Sequence, residues 1–289
     1  MNTQIAARSA TTAAIVVCTP LDFGHLAMTI HRLRPLGEAQ AQVSNCTTTG
    51  LRTQLAPPAT RHYPHLHMNQ DLWTSVDRFL TDTLIHPDQA LDEAMRANRD
   101  AGLPAIDVAP NQGKLLHLVA RIHKAKRILE VGTLGGYSTI WLARALPPDG
   151  KLVTLELNPT HAQVAAANIN RAGLSSLVDI RVGPALESLA SLHEEHAFPF
   201  DLIFLDADKP NNPVYLEWAI KLSRPGTVII GDNVIRDGAI LDPNSTDPVV
   251  SGTRTFVERL GTHPRLDATA LQTVGSRGYD GFAIAIVNE

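Results

Sequence analysis

Residues 127–157 read RILEVGTLGGYSTIWLARALPPDGKLVTLEL, and this run indicates the class of fold. The apolar segment Arg127–Val131 predicts a buried strand, residues 137–145 predict a helix, and residues 151–157 predict a second strand. A glycine-rich turn joins the first strand to the helix. Two neighbouring strands connected through a helix run parallel, so the run predicts a β-α-β unit.

The alternation of strands and helices continues along the chain. Further strands are predicted at residues 178–182, 200–206 and 227–231, each preceded by a helix. The last two strands, at residues 265–271 and 281–287, are joined by a glycine-containing turn and should pair antiparallel at one edge. The sequence therefore predicts an α/β fold: a doubly wound, Rossmann-like sheet of seven strands, mostly parallel with an antiparallel edge, preceded by N-terminal helices.

The composition excludes several classes of protein. The chain has 289 residues, of which 44% are hydrophobic and 19% charged, with a formal net charge of −4. It contains no apolar run of about 20 residues, so no membrane-spanning helix and no membrane partner are expected. The net negative charge argues against a nucleic-acid partner. Both cysteines, Cys18 and Cys46, lie in the first fifty residues, which favours a reducing, cytoplasmic location.

Residues 1–67 differ from the rest of the chain. They are rich in Thr, Ala, Gln and Pro, contain only Asp22 and Glu38 as acidic residues, and lack sustained periodicity. The segment is predicted to be a disordered extension. Two alternatives stay open: sequence upstream of a true start at Met68, or an organelle transit peptide, because arginines are present with few acids. Residues 68–289 are predicted to form one domain.

Two of the predicted strands, FDLIFL and TVIIG, end in polar side chains. Because ligands bind at the carboxyl ends of strands in open α/β sheets, Asp206, Asp232 and Asn233 should meet at one edge. Three oxygens of this kind suit a hard cation such as Mg²⁺. Lys209 follows about one helical turn after Asp206. Separately these residues are explained as a helix cap, a turn and a surface lysine, but their joint occurrence favours a metal site.

The first strand leads into a glycine-rich turn, and the second strand ends in Glu156. A glycine turn lets the backbone approach a ligand, and an acid after the second strand can accept both ribose hydroxyls of an adenosine. The turn lacks the G-x-G-x-x-G order of a dinucleotide site, which weakens the alternative of an NAD(P)-dependent oxidoreductase on the same fold. His161 is predicted to be an exposed helix residue.

Four motifs taken together resemble the cation-dependent O-methyltransferases, the family of catechol and caffeoyl-CoA O-methyltransferases, and are most similar to its small bacterial members. The motifs are Glu130 to Ser138, Gly183-Pro184-Ala185-Leu186, Leu205-Asp206-Ala207-Asp208-Lys209 and Gly231-Asp232-Asn233-Val234.

The resemblance implies a role for each matching residue. Asp206, Asp232 and Asn233 would bind the metal, with Lys209 as general base and Asp206 beside it as the second catalytic residue. The residues implied to bind S-adenosylmethionine are Val108, Glu130, Gly132, Thr133, Ser138, Glu156, Ala185 and Asp208.

The resemblance also implies a reaction. The expected activity is methyl transfer from S-adenosylmethionine to one hydroxyl of a vicinal aromatic diol of the catechol, caffeoyl or polyphenol type. The expected cation is Mg²⁺, with Ca²⁺ and Mn²⁺ as alternatives, and the expected assembly is a homodimer. Arg236, in the loop at residues 234–252, is a candidate contact for an acidic substrate tail. The rival hypotheses are the oxidoreductase and a non-catalytic module that binds S-adenosylmethionine.

Overall fold

The computed structural model describes residues 4–9, 12–20, 26–32, 70–197 and 199–289. The chain forms two compact units, residues 1–61 and 62–289. In the first unit, three strands pair antiparallel in the order β1-β2-β3: Gln4–Ser9, Thr12–Pro20 and Leu26–Arg32. The sequence analysis does not predict these strands. Most of residues 1–67 lies outside the described part of the chain, so the proposed disordered extension stays a prediction.

The second unit contains a seven-stranded sheet in the order β6-β5-β4-β7-β8-β10-β9. Strands β4 to β8 pair parallel with their neighbours, and β10 pairs antiparallel with both β8 and β9. This topology confirms the predicted mostly parallel sheet with an antiparallel edge. The strands are β4 Arg127–Val131, β5 Lys151–Glu156, β6 Val178–Val182, β7 Phe200–Leu205, β8 Ser223–Asp232, β9 Leu266–Gly275 and β10 Gly278–Val287.

Helices precede the sheet and connect its strands. Three of them begin with side-chain caps, in which Asp88, Asn158 and Asp247 accept from the amides of Leu91, Thr160 and Val249, respectively. Two short 3-10 helices, Lys209–Asn211 and Arg236–Leu241, follow β7 and β8. The α-helices are α1 Gln70–Leu84, α2 Gln89–Asp100, α3 Pro110–Ile122, α4 Tyr137–Ala143, α5 Pro159–Arg171, α6 Ala185–Glu194, α7 Asn212–Lys221 and α8 Pro248–Thr262.

The sheet is covered on both faces, and β7 lies at its centre. Every residue of β7 is buried, as expected for a parallel strand that faces helices on both sides. Ile203 and Leu205 belong to one core cluster, whereas Leu202 and Phe204 belong to the other. Successive residues thus point to opposite faces. None of the described helices has the length and apolar character that crossing a bilayer requires.

The hairpin at the sheet edge is longer than predicted. Paired residues run from Leu266 to Gly275 and from Gly278 to Val287, so only Ser276 and Arg277 form the turn. The prediction ended the first of these strands at residue 271 and began the second at residue 281. The additional paired residues have exposed or half-buried side chains. Their sequence therefore lacks the alternation of apolar and polar residues that predicts a strand.

Candidate active site

The carboxyl ends of β4, β5, β7 and β8 border a cavity of about 670 Å³. Eleven of the twelve residues predicted for the cofactor, the metal or the base line one of two cavities, and the exception is Glu130. The large cavity is lined by Val108, Gly132, Thr133, Ser138, Glu156, Ala185, Asp206, Asp208, Lys209 and Asn233. Asp232 lines a second cavity of about 480 Å³, which shares Asn233 with the first.

Glu130 lies beneath the glycine turn and is fully buried. Its carboxylate accepts hydrogen bonds from three hydroxyls: Ser138 Oγ at 2.6 Å, Thr139 Oγ1 at 2.5 Å and Thr154 Oγ1 at 2.7 Å. Burial raises the pKa of Glu130 to about 7, although these hydroxyls oppose the shift. The residue therefore orders the first turn of α4 from below, and its direct contact with a cofactor stays a prediction.

The glycine turn passes against the end of β7. Gly132 has φ +104°, and a Cβ there would lie 2.1 Å from the backbone oxygen of Asp206. The Asp206 amide donates to the Val131 carbonyl at 2.8 Å, which holds the two strand ends together. Only glycine permits both this approach and this backbone conformation.

Glu156 is tied to the same turn. Its Oε2 accepts from the amides of Leu134 at 2.8 Å and Thr133 at 3.3 Å, and its Oε1 accepts from the Asn158 amide at 2.9 Å. His161 Nδ1 lies 3.5 Å from Oε1, and the His161 side chain is 21% exposed. The prediction of an exposed His161 was wrong, because the first turn of α5 directs this side chain into the cavity lining.

Two carboxylates and a lysine meet at the other end of the cavity. Lys209 Nζ donates to Asp206 Oδ1 at 2.9 Å, and the Lys209 side chain is 8% exposed. Asp232 is 5% exposed, and burial together with the neighbouring Asp206 carboxylate raises the pKa of Asp232 to about 7. Gln112 on α3 also hydrogen-bonds Asp232. A single ammonium therefore stands beside two acidic groups.

The third predicted metal ligand is an amide. Asn233 adopts φ +56°, a left-handed conformation that asparagine tolerates better than most residues, and its backbone N–H donates to Asp232 Oδ1 at 2.9 Å. In the described part of the chain, no three His, Cys, Asp or Glu side chains form a group that could hold a metal. A cation site here thus requires an amide oxygen with two carboxylates, a donor set that suits Mg²⁺.

Sequence reasoning missed several side chains that support these residues. Tyr215 donates to Asp208 Oδ1 at 2.5 Å, and Asn211 donates to Asp208 Oδ2 at 2.6 Å. Burial, followed by the Asp208 contact, raises the pKa of Tyr215 above its ordinary value. Arg236 lines the cavity as predicted, but its guanidinium lies 3.8 Å from Asp280 Oδ2 on β10. Such contacts depend on which face of a helix is directed toward the cavity, and the sequence alone does not show this.

The second unit is similar to known proteins in sequence and in fold. Residues 82–282 match the O-methyltransferase family. A catechol O-methyltransferase from Niastella koreensis is 56% identical over 220 residues, which are 76% of this chain and 100% of that protein. One from Mycobacterium tuberculosis is 52% identical over 212 residues, 73% of this chain and 94% of that protein.

A solved structure supports the same relationship. The O-methyltransferase from Bacillus cereus in complex with SAH is 55% identical, with a TM-score of 0.75, over 76% of this chain and 100% of that chain. The resemblance inferred from the four motifs is confirmed, and this chain belongs to the O-methyltransferase family.

Proposed function

We propose that this protein transfers the methyl group of S-adenosylmethionine to one hydroxyl of a vicinal aromatic diol, with a divalent cation. The observation that carries the proposal is the position of Asp206. Its backbone oxygen packs against Gly132 of the glycine turn, and its carboxylate binds Lys209 beside Asp232. The proposed nucleoside site and the acid–lysine cluster would therefore share one strand end.

The cofactor is assigned to the glycine-turn end of the large cavity. Glu156 would accept the ribose hydroxyls, and Val108, Ser138 and Asp208 would surround the methionine end. The bound SAH of the Bacillus cereus relative, which matches 76% of this chain, supports this assignment. The cavity volume of about 670 Å³ is in the range of small-molecule sites.

The cation is assigned to Asp206, Asp232 and Asn233, with Mg²⁺ as the expected ion and Ca²⁺ or Mn²⁺ as alternatives. The raised pKa of buried Asp232 beside Asp206 supports the assignment, because a cation would relieve the repulsion between their charges. When bound, the ion would act as a Lewis acid and as a template for two vicinal hydroxyls. The two catechol O-methyltransferase relatives support a diol acceptor.

Lys209 is assigned as the general base. Its Nζ points to the same carboxylate that serves as a metal ligand, so it lies close to where an acceptor hydroxyl would be held. To act as the base, Lys209 would first release one ammonium proton to solvent, and the neutral amine would then take the hydroxyl proton at Nζ. Asp206 orients the base as well as the acceptor.

The deciding experiment is methyl transfer from S-adenosylmethionine to catechol and to caffeate, with Mg²⁺ and again with EDTA. Turnover that EDTA abolishes is expected. Binding of S-adenosylmethionine without turnover on any diol would instead favour the non-catalytic module, and NAD(P)H binding would favour the oxidoreductase. Comparing the two acceptors in Arg236→Ala tests its contact with an acidic tail, since equal losses on both would contradict that role.

We further propose a homodimer and a cytoplasmic location. The location rests on the cysteine usage described above. The dimer is supported by α1, which is amphipathic yet has no buried residue. Helix α1 contacts α3 and β9, and these elements expose further apolar side chains. The exposed residues are Val76, Phe79, Leu80, Leu84, Leu115, Leu118, Ile122, Leu271 and Val274.

Charge complementarity favours a second copy as the partner of this surface. Helix α1 carries three aspartates and one arginine, whereas α3 carries Lys114 and Arg121 and no acid. Light scattering should show a dimer that Ile122→Glu dissociates. Leu241→Glu is the matched control, because Ile122 is 80% exposed and Leu241 is 81% exposed. A monomeric wild type would contradict the proposal.

A further inference from the structure

A chain of buried amide side chains lies behind the large cavity. Asn98 on α2 is 2% exposed, and Asn168 on α5 is fully buried. Asn98 Nδ2 donates to Asp107 Oδ1 at 2.8 Å, and Asn98 Oδ1 accepts from Asn168 Nδ2 at 3.0 Å. Asn168 also donates to the Gly135 carbonyl at 2.8 Å and accepts from Arg171 Nη1 at 2.7 Å. Both polar atoms of the Asn98 side chain therefore have partners.

Asn98 contacts two separate segments of the cavity wall. On one side its amide lies against the glycine turn, where a Cβ at position 135 would be 1.9 Å from Asn98 Oδ1. On the other side Asn98 holds residues 103–109, since its backbone carbonyl accepts from the Leu103 amide at 3.0 Å and its side chain donates to Asp107. Asp107 and Val108 both line the cavity.

We propose that Asn98 is a positioning residue for the cofactor. By contacting both segments, Asn98 holds the glycine turn and residues 103–109 at a fixed separation. The inference rests on the proposed function, because it concerns S-adenosylmethionine in that cavity. Asn98 itself does not line the cavity. Any effect on the cofactor is therefore transmitted through its neighbours Gly135 and Asp107.

The charge of Asp107 gives this arrangement a second effect. Burial raises the pKa of Asp107, and the hydrogen bond from Asn98 opposes that shift. The Asn98 amide therefore favours a carboxylate at the cavity wall, on the side where the cofactor's methionine end is assigned. A sulfonium cofactor is cationic at its sulfur, so a nearby negative charge favours its binding.

Asn98→Ala tests the positioning role through cofactor affinity. Without the Asn98 side chain the cavity wall at Asp107 loses a hydrogen bond that holds it, so SAH, which lacks the sulfonium charge, should bind about tenfold more weakly by calorimetry. The KM for S-adenosylmethionine should rise by a similar factor, whereas kcat with catechol at saturating cofactor should change less than about twofold. Asn170→Ala, an exposed asparagine on α5, is the matched control and should leave the SAH affinity unchanged.

A swap of the two side chains separates positioning from general stability. Asn98→Asp alone places two carboxylates together and should weaken SAH binding at least as much as Asn98→Ala. Adding Asp107→Asn restores the hydrogen bond with donor and acceptor exchanged, while Asn168 can still donate to position 98. Recovery of most of the SAH affinity in the double variant is the result expected.

Two results would overturn the proposal. One is a lowered melting temperature in Asn98→Ala with an SAH affinity equal to that of the wild type. The other is a double variant that binds SAH no better than Asn98→Asp. Wild-type protein that bound no SAH would contradict the proposed function itself, so the two failures can be told apart.

Discussion

The two ends of the large cavity are built differently. At the glycine-turn end, Glu130 accepts from three hydroxyls, and Glu156 accepts from three backbone amides. At the other end, Asp206 and Asp232 share one close ammonium, that of Lys209. The first end is ordered by hydrogen bonds within the protein, whereas the second concentrates negative charge. A pre-formed cofactor site and a cation-dependent acceptor site would have these two characters.

The two ends of the cavity also differ in which residues adopt a positive φ. Near the acid cluster, the non-glycine residues Asn233, Arg236 and Asp237 have φ of 56°, 55° and 54°. At the cofactor end, positive φ falls on Gly132 and Gly136, where it costs little, and on Leu134. Strain of this kind is maintained where surrounding contacts enforce it, and it is common at functional sites.

The largest effect is expected from Asp206→Ala. Losing the carboxylate should lower kcat at least about a thousandfold with Mg²⁺, because it removes a proposed metal ligand and the partner of Lys209. SAH affinity should stay within a few-fold, since Asp206 meets the glycine turn through its backbone. Kinetics and calorimetry on this variant and on the exposed control Asp242→Ala would decide, and full activity would remove the assignment.

Gly135→Ala should disturb the cofactor end instead. The added methyl group would lie 1.9 Å from Asn98 Oδ1, and overpacking of a buried site should lower the free energy of unfolding by about 3 kcal/mol. SAH affinity should fall with it. Gly261→Ala is the control, since a Cβ there meets nothing within 4 Å. Chemical denaturation of both variants measures the difference, and equal stabilities would contradict the close packing at Gly135.

The pH dependence of the free energy of unfolding should reveal the titration of Glu130. Its pKa is about 7 in the folded protein and ordinarily 4.5, so the folded state keeps a proton that the unfolded state loses between these values. The free energy of unfolding should therefore decrease as pH rises from 4.5 to 7, by up to roughly 3 kcal/mol.

Asp232 titrates in the same window, so a comparison of variants is needed. Glu130→Gln should reduce the pH dependence, and the part that remains should belong largely to Asp232. Urea denaturation at pH 5 and pH 7.5 provides the measurement. An unchanged slope in Glu130→Gln would mean that the buried carboxyl is not the source.

The smallest effect is expected from deleting residues 1–67. Every residue that lines the large cavity lies between Pro104 and Arg236, so kcat and SAH affinity should change less than about twofold. Loss of soluble protein would show instead that this segment contributes to stability, and a changed KM for the acceptor alone would place it near the acid cluster.

The sequence predicts the fold and the strand-end residues well, for a physical reason. Buried parallel strands give continuous apolar runs, and polar residues directly after them, such as Asp206 and Asp232, are conspicuous. The sequence does not distinguish Asn98, Gln112 and Tyr215 in this way, because each lies on a helix and contacts its partner only after folding. A polar residue on an amphipathic helix looks the same whether it faces water or a buried partner.

The contact between Gly132 and the Asp206 backbone bears on how the enzyme could be evolved in the laboratory. The cofactor end and the acid cluster are joined there by main chain alone, so no side-chain exchange can retune one against the other. In a saturation library, position 132 should tolerate no replacement, whereas positions 242–246, which form an exposed loop before α8, should accept many. New acceptor preferences are therefore best selected in that loop, with the strand ends left unchanged.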